Sequence, residues 1–475
     1  MINDHDFFKI SKKSNDILDN NNTDIFQSIS KLHVIKHHSA YFSKFKSKKR
    51  KFQLFKKILN FVKFFFLERK NYYFKNIRQT DCVIISNILN NSKNKKYEDI
   101  YFGDLKLLLS NEDISTVKIY RNFTNKDSQT LSKSHEFKED IILSKTTYIF
   151  KELTYLAKTI YSFFNLKIFS NNEFIKENFN FLDFLTIPNN LRLGDQVCEL
   201  ISTIKPKLII FTFEGHAWER ILISKLKKIS PNTIIAGYQF TSLIKNQNSI
   251  YRKVKDEFKP DIIFTTGEIT KKIIQNNIDD IQIEIIGSSK NFKINDNQNK
   301  LKKSNQDNFL FVPEGTEYEI EEMLNFCIIL AEKFTKKKFR FRFHPLIDIK
   351  KFLNENSFTE KLKKLNNVIV SDQDLDSDIL ISEYIIFRGS SVVFNALLND
   401  KTPIYLNTDQ IYCNPLYEVF PEKLIIDNKN VFENLEKFKI SDDERTMLKN
   451  YCMQYFEKLN PKIVKKFLKL STVAK

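Results

Sequence analysis

Four short stretches concentrate the reactive side chains of this 475-residue chain. In FTFEGHAWERILI (211–223), Glu214, His216, the only tryptophan Trp218 and Glu219 fall within six positions, beside Gly215. A carboxylate in apolar surroundings, such as against an indole, has its pKa raised and can serve as a general base. Glu214 is the first candidate for that role and His216 the competing one, while Glu219 with Arg220 reads as a pair on a helix surface. The plainer alternative is a core tryptophan next to a solvated turn glutamate.

The stretch KFRFRFHP (338–345) alternates Phe339, Phe341 and Phe343 with Arg340, Arg342 and His344, and Pro345 ends the strand because it cannot continue a ladder. A basic face leading to a strand end suits an anionic ligand; a solvated edge strand is the alternative. In FRGSSVVFNALL (387–398) an apolar strand runs into Gly389, and Ser390 and Ser391 are placed to cap the following helix, where hydroxyls and free N–H groups suit a phosphate. In VPEGTEYEIEEMLNFCIILAEKF (312–334), Thr316 and Glu319 make a capping-box pattern. Ile320, Leu324, Cys327, Ile328 and Ala331 form its buried stripe, and Glu314 and Gly315 stand at the turn itself.

The elements that must hold these residues follow from the pattern. β-branched runs at 81–86, 116–123, 207–213, 233–240, 261–267 and 281–287 alternate with helical stretches such as 216–228 and 268–277. After a polar linker the pattern restarts with strands at 308–315, 338–345, 367–372, 384–391 and 402–407. Continuous apolar strands alternating with helices imply α/β architecture with parallel sheets covered on both faces. The expected organisation is a basic, mainly helical segment over 1–78, an N-terminal Rossmann-like lobe over 79–295, a linker over 296–307 and a C-terminal Rossmann-like lobe over 308–475. Ligands in two such doubly wound lobes bind at the carboxyl ends of strands, along a shared cleft. Only 8 residues are Gly, where average usage would supply about 33. Six of them, Gly215, Gly237, Gly267, Gly287, Gly315 and Gly389, fall at expected strand ends.

Composition narrows the class. The formal charge of +18 is concentrated between Lys31 and Arg78, which hold 15 Lys/Arg against the single acidic residue Glu68. Within that stretch, Lys51–Leu67 places Phe52, Phe55, Leu59, Val62 and Phe66 on one side of a helix and Lys56, Asn60 and Lys63 on the other. Such a segment docks on the protein body, on an anionic membrane surface or on a nucleic acid. No helix-turn-helix, RNA-recognition or zinc-finger pattern accompanies it, which counts against nucleic acid. Five scattered cysteines, without CxxC spacing, give neither a zinc site nor a disulfide framework. No stretch approaches the roughly 20 apolar residues of a membrane span, and no signal peptide is evident, so a cytoplasmic protein is expected.

Glu214-Gly215, His344-Pro345 and Ser390-Ser391, in that order, resemble the motifs of GT-B type transferases that use cytidine nucleotide donors. Bacterial polysialyltransferases and capsule Kdo transferases are the nearer likeness, CDP-glycerol polymer transferases a more distant one. The run from about Tyr97 through Asn407, with EGHAWE, PEGTEYE, FRFHP and RGSS, looks closest to surface carbohydrate biosynthesis proteins. The resemblance implies Glu214 as the base on an acceptor hydroxyl, His344 and Pro345 on the cytidine monophosphate moiety, and Ser390 and Ser391 on its phosphate. Arg342, Glu314, Gly315 and Gly389 complete the expected donor side. No DxD motif accompanies these turns, so neither metal nor cofactor is expected beyond the nucleotide sugar itself. The implied protein is a glycosyltransferase, peripheral to the cytoplasmic face of the inner membrane, with a surface-glycan acceptor that is lipid-linked. An epimerase acting on nucleotide sugars and a non-catalytic glycan- or nucleic-acid-binding protein are the rival readings.

Overall fold

The computed structural model describes residues 3–20, 23–34, 77–89, 97, 99–133, 137, 139–169, 172–245, 249–290, 308–345, 347–408, 410–427 and 438–473. The chain divides into two compact units, Met1–Thr241 with Gln247–Lys290 and Phe456–Lys475 in the first, Ser242–Asn246 with Asn291–Tyr455 in the second. The basic stretch Lys51–Leu67 lies outside the described residues.

The first unit is built on a seven-stranded, wholly parallel sheet: β1 (Cys82–Ile88), β2 (Thr116–Asn122), β3 (Ile141–Ile142), β4 (Leu208–Thr212), β5 (Ile234–Gln239), β6 (Ile262–Thr265) and β7 (Gln282–Ile285). Its order is β3-β2-β1-β4-β5-β6-β7. All seven residues of β1 and all five of β4 are buried, as a central strand covered on both faces requires. The strand order reverses between β1 and β4, and the crevice that opens at their carboxyl ends is where doubly wound sheets place ligands.

The second unit repeats the scheme with six strands: β8 (Asn308–Val312), β9 (Lys338–Phe341), β10 (Val368–Val370), β11 (Tyr384–Phe387), β12 (Thr402–Leu406) and β13 (Ile425–Ile426), ordered β10-β9-β8-β11-β12-β13. Here the reversal falls between β8 and β11. Phe309, Phe311, Phe339 and Phe341 share a core with Ile320, Leu324, Cys327 and Ala331 of helix Glu317–Lys333, so the apolar stripe of that helix packs as its 3–4 spacing dictates. The two doubly wound lobes expected from the sequence are therefore present, and only the two-residue edge strands β3 and β13 add to it.

Three expectations need correction. Residues 1–78 are not a separate segment throughout: helix Asp4–Asn20 buries Phe7, Ile17 and Leu18 in the first unit. Ile17 and Leu18 join Leu32, Tyr155, Phe184 and Leu191 in one core, and Lys31 is buried with its Nζ on Asp183 at 3.1 Å. The C-terminal lobe does not run to the end of the chain, because helix Pro461–Val473 packs Val464, Phe467 and Leu468 against Ile262 and Phe264 of the first unit. Finally, Gly237 lies within β5 and not at its end; a Cβ there would come 2.7 Å from the Phe213 ring on the neighbouring chain segment. Among the described residues no helix is long and apolar enough to cross a membrane.

The C-terminal correction has a measurable consequence. Phe467 is 2% exposed and lies 5.8 Å from the Phe264 ring, so Phe467→Ala should cost the first unit about 3–5 kcal/mol. Trp218, the only tryptophan, belongs to that unit, so urea unfolding followed by its fluorescence reads the loss directly. An unchanged midpoint would place the helix elsewhere.

Candidate active site

In the first unit β4 passes through buried Phe213 into Glu214-Gly215-His216 and then helix Ala217–Ile229. The turn is closed from inside the helix. Glu219, fully buried, accepts the backbone N–H of Glu214 at 2.9 Å and of His216 at 2.8 Å through one carboxylate oxygen. This satisfies donors that a helix start leaves orphaned. Burial raises Glu219 to about 7, and the Glu214 charge adds to that while His216 and the two N–H groups oppose it. Arg220 is likewise buried, donating to Phe258 O at 3.1 Å and Ser249 O at 3.0 Å. The expected surface pair of Glu219 and Arg220 is thus replaced by two interior anchors, because the loop around Ser249 and Phe258 covers this face of the helix.

Gly215 has φ +82°, and a Cβ on it would meet Ser249 O at 2.3 Å, while the Ser249 hydroxyl donates to Gly215 O at 2.5 Å. Both the left-handed backbone and the close approach demand glycine. Gly215→Ala should therefore lose about 1–3 kcal/mol from backbone strain alone, read as a lower melting temperature of the Trp218 signal; an unshifted transition would contradict the turn geometry.

The turn presents Glu214 and His216, both partly exposed. Glu214 Oε1 accepts from Thr241 Oγ1 at 2.8 Å, just beyond β5, and Oε2 lies 3.4 Å from His216 Nε2. Burial alone would push the imidazolium down, but the Glu214 carboxylate and the charge of Glu219 outweigh it, so His216 titrates above its ordinary value. A raised histidine contributes stability in full below its unfolded pKa of about 6.5 and loses it as pH rises through the folded value. Glu219 has the same sign, its contribution present below its unfolded pKa and lost as pH passes about 7. The first unit should accordingly be more stable near pH 6 than near pH 8.5, and His216→Asn should flatten that difference in paired urea titrations. A steeper or reversed dependence in the variant would refute the pairing.

Arg121 reaches the same edge, and Tyr101 and Lys290 respond to the Glu214 charge, none of the three having been apparent in the sequence. Arg121, next to last in β2, pairs in register with Asn87 of β1; its guanidinium carbon lies 4.2 Å from the Trp218 ring centroid and 4.8 Å from that of Phe123. Burial lowers Arg121 to about 10, which leaves it charged at neutral pH. Tyr101 is raised by burial and by the Glu214 charge, against Asn87 and Arg121. Lys290 is lowered by burial to about 8, with Glu214 holding it up.

The second unit brings together a different set on the adjacent strands β9, β8 and β11. After β8, Glu314 N donates to Glu319 Oε1 at 3.3 Å and Thr316 Oγ1 lies 3.5 Å from Glu319 Oε2. Glu-Gly-x-x-aromatic-Glu thus recurs at the end of β4 and of β8, with the last Glu bonded to the first residue's N–H in both. A Cβ on Gly315 would stand 2.9 Å from His344 Nδ1 and 3.1 Å from Cε1, so the imidazole of the His-Pro motif lies against the glycine of the Glu-Gly motif. Pro345 follows, exposed. Gly389 is buried just past β11; Ser390 Oγ accepts from Val392 N at 3.4 Å, whereas the Ser391 hydroxyl makes no cap bond. The expected alternation of β9 holds, Phe339, Phe341 and Phe343 being buried. Its basic face, however, meets an anion of the chain itself: Arg342 donates to Asp378 Oδ2 at 2.7 Å, and Arg340 Nε lies 3.5 Å from Asp378 Oδ1.

No protein-family profile matches the sequence, and no curated protein matches it. Among solved structures, the chain is similar to a UDP-GlcNAc 2-epimerase from Methanocaldococcus jannaschii at 14% identity, over 82% of this chain and 99% of that one, with a TM-score of 0.43. It is similar to Alr3699/HepE from Anabaena, solved with UDP and glucose, at 10% identity over 83% and 99% with a TM-score of 0.43. The glycosyltransferase of kitacinnamycin matches at 8% identity over 82% and 100%, with a TM-score of 0.47.

Proposed function

We propose that the protein is a glycosyltransferase that moves a sugar from a nucleotide donor to a hydroxyl of a glycan acceptor. One observation carries the reading: in each sheet the reactive side chains stand at the strand-order reversal, Glu214 with His216 beside β1 and β4, and Gly315 with His344 beside β8 and β11. Glu214 takes the acceptor proton as the acceptor oxygen bonds to the anomeric carbon, and the bond from that carbon to the nucleotide phosphate breaks. His344 and Gly315 hold the nucleotide, with Ser390 and Ser391 on its phosphate. The donor is a CMP-activated nonulosonic or Kdo-like acid, on the strength of the His-Pro and Ser-Ser motifs. The acceptor belongs to surface polysaccharide or lipopolysaccharide synthesis, and the lysine-rich residues after Lys31 carry the enzyme to an anionic membrane that displays it.

A calorimetric panel of CMP, CDP, UDP and GDP tests the donor. CMP should bind most tightly, and His344→Ala should weaken it by at least about 10-fold, equivalent to 1.4 kcal/mol. Preference for UDP would remove the CMP donor, and conversion of a UDP-sugar without any acceptor would favour an epimerase instead.

A further inference from the structure

Helix Ile149–Phe163 of the first unit is amphipathic in the inverted sense for a surface helix. Its inward side is polar. Glu152 receives Arg192 through bonds of 2.7 and 2.6 Å, the Tyr155 hydroxyl donates to Asp195 at 2.6 Å, and buried Thr159 and Ser162 donate their hydroxyls to carbonyls of their own helix. Its outward side is apolar: Phe150 is 81% exposed, Leu153 54% and Ile160 40%, with Ala157 exposed between them. Phe164, which packs on Phe163 at 5.8 Å, continues the row. The exposed apolar residues between Tyr148 and Ile168 offer roughly 900 Å², at about 200 Å² for a fully exposed aromatic or large aliphatic residue. The largest apolar patch of a typical monomer is about 300–600 Å², and each partner in a standard interface gives about 800 Å².

The row has a symmetry that selects its occupant. Phe150, Leu153, Ala157, Ile160 and Phe164 follow the i, i+3, i+7, i+10, i+14 spacing of a helix–helix seam, with large side chains outside and the smallest at the centre. Antiparallel pairing of two identical helices about Ala157 sets Phe150 opposite Phe164, Leu153 opposite Ile160 and Ala157 opposite itself, where a lone methyl group lets the helix axes approach closely. Charge permits the same arrangement. No charged residue lies in the row, and the one acid of the helix, Glu152, is buried. The two-fold brings Lys151 level with Phe163 and Lys158 level with Leu156 of the second copy, so no lysine meets a lysine. A lipid surface or an unrelated protein would place no demand on this symmetry.

We propose that helix Ile149–Phe163 is a self-association surface whose occupant is a second copy of this chain, packed antiparallel about a two-fold axis at Ala157. The dimer is independent of the nucleotide donor: CMP binding can fail with the dimer intact, and the dimer can fail with CMP bound. Sedimentation velocity on the full chain should show a dimer with a Kd of about 1 μM or tighter. Leu153→Glu and Ile160→Glu, at positions open to solvent in the single chain, should each weaken it by at least about 30-fold, with the Trp218 unfolding transition in place. Ala157→Cys reads the axis, in a Cys198→Ser background because Cys198 is the native cysteine that is not buried. Mild oxidation should join two copies of Ala157→Cys covalently, and likewise two copies of Phe150→Cys combined with Phe164→Cys, whereas Phe150→Cys alone should stay uncoupled. A chain that remains monomeric at about 100 μM, a dimer that both glutamate variants leave intact, or coupling of Phe150→Cys alone as readily as Ala157→Cys would overturn the surface. A monomeric chain that sediments with phosphatidylcholine vesicles containing about one fifth phosphatidylglycerol, and no longer does so as Leu153→Glu, would overturn it as well and give the face to lipid.

Discussion

Replacing Glu214 by Gln is expected to lower acceptor-dependent release of nucleotide by about 10²–10⁴-fold, the contribution of a positioned general base. The amide is nearly isosteric and its oxygen can accept from Thr241 Oγ1, which lies 2.8 Å from Glu214 Oε1, but it takes no proton at neutral pH. The turn does not depend on this side chain, because Glu219 closes it through backbone N–H groups. The loss should therefore fall on kcat, with the nucleotide affinity of the second unit unchanged and the melting temperature moved only by the lost pairing with His216. His216→Asn provides the contrast. If Glu214 is the base, removing the imidazole 3.4 Å away should cost less than Glu214→Gln; the reverse ranking would assign the proton to His216. Turnover that survives Glu214→Gln undiminished would remove both the base and the mechanism built on it.

Much of the fold was legible because buried parallel strands announce themselves as apolar runs. CVIIS of β1, LIIFT of β4 and YIIF of β11 are all found where the sequence places them. Strands β3 and β13, two residues each, are too short to generate a pattern. The Glu-Gly and His-Pro motifs were legible as well, since each belongs to one strand end, and the structure adds that Gly315 and His344 touch. Other parts depended on contacts between segments distant in sequence. Arg121 stands nearly a hundred residues before Trp218, and nothing local distinguishes it from a solvated strand-end arginine except that IYRNF is otherwise apolar at alternate positions. Lys290 follows β7 in an ordinary polar stretch. Glu219 and Arg220 fit a helix surface by spacing, but a helix has no free surface where a loop such as 249–258 lies over it. Hydrophobic periodicity locates the face turned to the sheet; it says nothing about what covers the opposite side.

The same limitation governs Arg342, whose place just past β9 suggested an anionic ligand. Asp378, on helix Leu375–Ile381, is fully buried and accepts from Arg342 at 2.7 Å and from Ser371 Oγ at 2.5 Å, while Arg342 also donates to Gln373 O at 2.7 Å. Taking one partner from a buried ion pair leaves a charge without compensation and costs about 3–5 kcal/mol. Arg342→Gln should fall near the lower bound, because Arg340 remains 3.5 Å from the other carboxylate oxygen. The loss should appear in calorimetry as an earlier transition of the second unit, with the Trp218 transition of the first unit in place. Well below that transition, nucleotide affinity should be unaltered, since a guanidinium held by Asp378 and a backbone carbonyl has little left to offer a phosphate. Asp378→Asn is the complementary change: it should also destabilise the second unit, by leaving two cations facing a neutral amide. If Arg342→Gln leaves stability intact and weakens CMP by about 10-fold or more, then Asp378 only holds the side chain until the nucleotide arrives, and Arg342 belongs to the donor site after all.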